Sequence, residues 1–107
     1  MTKKLFYQGQ PGTTSAEAVA SSDLARTIDQ ATVVNPTGVD AWLSVWLVQD
    51  GDTAADDTIL YHEKNIVSVA DPASLSALVN MAIPPRATIH LQAETATALT
   101  VHISGRE

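Results

Sequence analysis

Turn signals recur about every ten residues along this chain and leave room only for short strands between them. Gln8-Gly9-Gln10-Pro11-Gly12-Thr13-Thr14-Ser15 holds two glycines and a proline. Asn35-Pro36-Thr37-Gly38, Gln49-Asp50-Gly51-Asp52, Ala70-Asp71-Pro72-Ala73 and Pro84-Pro85 break the chain again. Between them, strands are expected over Thr2–Tyr7, Arg26–Val34, Asp40–Gln49, Thr58–His62, Asn65–Val69, Leu75–Ile83, Ala87–Glu94 and Ala98–Ser104. Thr58–His62 and Asn65–Val69 read as two strands or one bent segment. Ala16–Asp23 could form a helical turn on propensity, but among neighbouring strands it reads as a short strand or irregular chain. Such spacing predicts an all-β fold, a single antiparallel β-sandwich of jelly-roll or immunoglobulin-like topology. At 107 residues it is one domain (1–107), with a short N-terminal strand or arm over about residues 1–12.

The middle strand is apolar on both faces. Leu43, Val45 and Leu47 alternate with Trp42, Trp46 and Val48, and Ser44 lies between the tryptophans. A sandwich strand has one core face, so the second face predicts a surface covered by another chain. Trp42, Trp46 and Val48 are therefore interface candidates, joined by Phe6 and by Lys3 and Lys4 of the N-terminal arm. The rival readings are that the tryptophans are core residues, or that their flat rings form a platform for a sugar.

The last two strands predict a hairpin. Ile89, Leu91 and Ala93 alternate with polar residues, as do Leu99, Val101 and Ile103, and both sets must face one core. A three-residue loop at Thr95-Ala96-Thr97 then pairs Leu91 with Val101 and sets His90 opposite His102 on the outer face. Two imidazoles so placed could share a metal with His62, but a closed site takes four ligands, so no metal is expected and the pair reads as polar residues on a solvated or intersubunit strand face. Asp50-Gly51-Asp52 begins like a calcium loop, but Ala54, Ala55 and Tyr61 stand at its fifth, sixth and twelfth positions, which rules out an EF-hand. No Gly-x-Ser-x-Gly turn and no phosphate-binding glycine loop occurs, so no enzyme, cofactor or catalytic residue is expected.

Charge narrows the partners. Six Lys and Arg stand against 12 Asp and Glu, a formal charge of -6, which disfavours nucleic acid and anionic membrane. Cysteine is absent, so packing or assembly must hold the fold without disulfides. The basic start lacks the apolar run of a signal peptide, which predicts a cytoplasmic site of synthesis.

Leu5-Phe6-Tyr7-Gln8-Gly9-Gln10-Pro11-Gly12, Thr32-Val33-Val34-Asn35-Pro36-Thr37, Val45-Trp46-Leu47-Val48 with its following Gly/Asp loop, and Leu99 through Glu107 form a layout. It resembles that of small β-sandwich virion proteins of tailed bacteriophages. Where members often carry Val-Pro-Ala-Gly, this chain has Val19-Ala20-Ser21-Ser22. The resemblance implies a structural role in the virion: a capsid decoration (cement) protein, or a tail, neck or fibre-associated one. With the two-sided apolar strand, that role predicts a homo-oligomer, a trimer by lattice symmetry, partnered by the major capsid protein or other virion proteins. A carbohydrate- or receptor-binding module is the alternative from another class.

Overall fold

In a computed structural model the chain forms one long antiparallel ribbon wound into two packed sheets. Residues 3–55 and 57–107 are described, so Thr2 of the expected first strand and Asp56 of the acidic loop lie outside the described residues. The strands are β1 (Lys3–Gly9), β2 (Ala16–Val19), β3 (Arg26–Asn35), β4 (Ala41–Val48) and β5 (Ile59–Ile66). They continue with β6 (Val69–Ser74), β7 (Ala82–Ile83), β8 (Thr88–Ala93) and β9 (Thr100–Arg106). One sheet runs β1-β9-β3-β6, with β7 also on β3, and the other runs β2-β8-β4-β5. The nested pairs β1–β9, β2–β8, β3–β6 and β4–β5 are the ribbon. The pairs β9–β3 and β8–β4 are the seams where it closes on itself. That winding is a jelly roll.

The core lies between the sheets. Ile28, Val33, Leu43, Val45, Ile89, Leu91, Val101 and Ile103 are at most 2% exposed, each contributing about 1.5–3 kcal/mol by burial. Gly105 belongs to the same layer because a Cβ there would overlap the carbonyl oxygen of Thr27 and crowd Phe6. Arg26 clasps the two sheets at one end: its Nη1 donates to Ala20 O at 2.8 Å and its Nη2 to Ala87 O at 2.9 Å. Its guanidinium lies 5.7 Å from the Phe6 ring centroid, and its Nε finds no partner among the described residues. Desolvation lowers the Arg26 pKa, and Glu107 opposes the shift.

Three expectations change. The inward sets of β8 and β9 are as read, but the two strands lie in opposite sheets and do not form a hairpin. Leu91 pairs with Val45 and Ala16, and Val101 pairs with Val33 and Gly9. Parity alone is satisfied equally by two strands facing each other across a core. The expected Leu75–Ile83 strand is mostly consecutive turns, with Leu78 N donating to Leu75 O and Met81 N to Leu78 O. Leu75 and Leu78 are both fully buried, and a strand would point residues three apart to opposite faces. The supposed break at Ala70-Asp71-Pro72-Ala73 lies inside β6, an edge strand where Pro72 costs no essential ladder bond.

Candidate functional site

The outer face of the β2-β8-β4-β5 sheet carries a cluster of polar and titratable side chains. Along β8, inward Ile89 and Leu91 leave Thr88, His90 and Gln92 pointing outward. On β4, inward Leu43 and Val45 leave Trp42, Ser44, Trp46 and Val48 outward. Register sets Trp46 opposite His90, Val48 opposite Thr88, and Glu17 of β2 opposite His90 on its other side. Beside them the β4–β5 loop and the β7–β8 turn complete an open groove of about 540 Å³, lined among others by Glu17, Asp50, Asp52, Arg86, Thr88 and His90.

Local hydrogen bonds hold this groove. Arg86 Nε donates to Asp50 Oδ2 at 3.0 Å, and Arg86 N donates to Ser22 O at 2.6 Å. Arg86 keeps φ at 65°, a left-handed conformation unusual for a long side chain, so the turn is pinned from both sides. Thr58 Oγ1 accepts from Ala55 N at 3.0 Å and organises the acidic loop, while Gly51 supplies a φ of 86° at its tip. Thr88 Oγ1 lies 3.2 Å from His90 Nε2 and fixes the imidazole against the sheet. The groove therefore presents carboxylate acceptors, a guanidinium donor and an imidazole side by side, a set that can hydrogen-bond a polyhydroxylated ligand.

Among the described residues, no three His, Asp or Glu come together to hold a metal. The histidine pair is corrected: His90 lies in one sheet, while His102 lies in the other, opposite Gln8 and Thr32. His62 is on β5.

The interface candidates divide. Trp46 and Val48 keep only 8% and 6% of their surface in the single chain, so the expectation that both tryptophans stand open is corrected. Trp46 is flanked across the strands by His90 and Ile59, a central position that closes over it. Trp42 is half-buried, paired with Asn65, and its backbone N donates to Glu94 Oε1 at 3.1 Å. Phe6 packs against the core under Arg26. Lys3 and Lys4 are not a free arm, because the register runs Lys3–Arg106 and Lys4–Gly105, and Lys4 Nζ also binds Glu107 Oε1 at 2.9 Å.

Compared with protein-family models, curated proteins and solved structures, the chain matches none.

A second concavity of about 590 Å³ opens on the outer face of the β1-β9-β3-β6 sheet. Lys3, Leu5, Asp29, His102 and Ser104 line it, and Arg106 Nε pairs with Asp29 at 3.0 Å. It sits between β-bulges at Phe6 of β1 and Asp29 of β3. Sequence reasoning missed Glu17 and Arg86. Glu17 falls in the ambiguous Ala16–Asp23 segment, whose pairing partner the sequence does not reveal, and Pro84-Pro85 marks the Arg86 turn without revealing which loop it meets. Among the described residues no helix is long and apolar enough to cross a membrane.

Proposed function

We propose that the chain is a virion structural protein of a tailed bacteriophage, a capsid decoration protein that binds and stabilises the assembled head as a homo-oligomer. The observation that carries this reading is the jelly-roll winding, an architecture that viral capsid domains share with lectins. Its edges strengthen it, since each carries a feature that discourages strand addition. β1 has Lys3, Lys4 and a bulge; β2 has four residues and a bulge; β5 is bulged at Glu63, with φ 47°; β6 contains Pro72. Such a subunit docks through faces and loops and does not polymerise by extending its sheets.

The mechanism is linkage: a protein that binds the closed shell and not its separated parts stabilises the shell by mass action. A trimer suits local threefold positions of the lattice, with the major capsid protein as partner. Mass spectrometry and cryo-microscopy of purified particles test it. Regular density at lattice positions is expected. Absence from particles sinks the reading, and density confined to the tail, neck or fibres replaces it with a tail-associated role.

A second reading, a carbohydrate-binding module, is favoured by the groove around Glu17, Arg86 and His90. It requires saturable binding of defined oligosaccharides that Glu17→Gln or Arg86→Gln abolishes without loss of oligomer or particle binding.

A further inference from the structure

Four loops gather at the end of the sandwich opposite the β4–β5 loop: residues 10–15, 36–40, 67–68 and 94–99. Gln10 Nε2 donates to Thr97 O at 3.1 Å and joins the first of these to the β8–β9 connection, while Gln92 Nε2 of β8 donates to Thr13 O at 2.9 Å. The other two are tied directly: Gly38 N donates to Ser68 Oγ at 2.6 Å, and Ser68 N to Asp40 Oδ1 at 2.9 Å. Asn35, 1% exposed, spends its amide on Val39 O and Ile66 O, both at 2.9 Å. On this cross-linked frame Val39 and Val67 project with 72% and 55% of their surface exposed.

We infer that this tip, centred on Val39 and Val67, is the surface that seats on the shell, its occupant being a protein face with an apolar centre and a rim of lysine or arginine. The inference rests on the virion reading above. Both side chains are short and β-branched and stand on a hydrogen-bonded backbone, so ordering them on binding costs little entropy. The four loops contain no lysine or arginine and two carboxylates, Asp40 and Glu94. An apolar centre poor in charge matches the core of a protein interface, and the two carboxylates fit a basic rim. A second copy is a poor occupant, because two such tips would set carboxylates against carboxylates with no cation in the loops to neutralise them.

Two measurements decide it. In solution NMR of the intact chain, isopropanol as an apolar probe is expected to shift Val39 and Val67 most; shifts centred elsewhere overturn the tip as a docking surface. Particles lacking the protein are then mixed with purified wild type or with Val39→Asp, Val67→Asp, Leu24→Asp or Leu5→Asp. Melting curves confirm that each variant is folded, and the two leucines, 55% and 52% exposed, serve as controls away from the tip. The valine variants should bind about tenfold more weakly and the leucine variants as wild type. Equal binding by the valine variants overturns the inference and leaves the decoration role standing. Failure of wild type to bind overturns the shell as occupant together with the virion reading, and the probe shifts alone then decide whether the tip docks any protein.

Discussion

Replacing Gly105 by alanine tests how closely β9 and β3 are packed. An ideal Cβ at Gly105 overlaps the carbonyl oxygen of Thr27 and stands 2.8 Å from Cε2 of Phe6. The ring can turn, but the oxygen belongs to the β3 backbone, and β9 is paired on both sides and cannot withdraw. Relief requires the β3–β9 ladder to open near Ile28 and Gly105. Overpacking costs about 1–3 kcal/mol. One or two weakened backbone hydrogen bonds add about 1 kcal/mol each. The reduced entropy of the unfolded chain returns about 0.4–1 kcal/mol. The net loss is about 2–4 kcal/mol, or a fall of about 10–20 °C in Tm for a domain of this size. Urea unfolding with a fitted slope measures it. Gly12→Ala is the control, since a Cβ there meets nothing within 4 Å, and it should cost nothing. A loss below about 1 kcal/mol at Gly105 refutes the reasoning. Recovery on adding Phe6→Leu also refutes it, by showing that the ring and not the backbone sets the cost.

Asn35→Ala, which withdraws both donors from the tip, should cost about 2–3 kcal/mol in urea unfolding and speed hydrogen exchange at Gly38 and Ser68. Ser44 Oγ, 2% exposed, accepts from Glu63 N at 2.9 Å, so Ser44→Ala should cost about 1–2 kcal/mol. Glu63→Gly should instead stabilise by about 0.5–1 kcal/mol, because glycine adopts the φ of 47° without strain; a loss of stability in the same assay contradicts this. Burial raises the Tyr7 pKa above its ordinary 10.0. The unfolded chain then releases that proton first, so the contribution of Tyr7 is complete below the ordinary value and disappears as pH rises through the raised one. Thermal melts of Tyr7→Phe should lose less stability in alkali than wild type.

Much of the fold is readable from alternation and punctuation. The inward residues of β4, β8 and β9 are those that parity selects, and the turn clusters at residues 8–15, 35–38 and 84–85 fall where the chain changes sheet. Pairing is not readable the same way. Ile89, Leu91, Leu99, Val101 and Ile103 need only face one core, and the sequence between β8 and β9 suits an arch as well as a hairpin. The groove was accessible only in part. His90 and the acidic loop carry visible polar chemistry, but Glu17 and Arg86 join them through β2–β8 pairing and a turn pinned by Ser22, both long-range facts. Trp46 misleads for a related reason. Counting faces assumes that an outward residue is wet, whereas in the middle of a four-stranded sheet its neighbours on both sides close over it.

Odd spacing between core residues is a more informative signal than a broken pattern suggests. Ile28 and Val33 are five apart on β3, yet both are fully buried, and the register slips between Ile28 and Gln30. Tyr61 packs against the core and Ile66 lies within it, also five apart, and β5 slips between them around Glu63. Phe6 and Tyr7 are adjacent on β1, both pack inward, and the ladder slips at that point. One extra residue reverses the parity of everything beyond it, so each bulge keeps both apolar flanks inside. The same bulges distort the edges of β1 and β5 against pairing with other chains and frame the concavity over Ser104. In this chain the spacing that completes the core also closes the sheet edges, which leaves the loop ends and outer faces as the surfaces through which it can act.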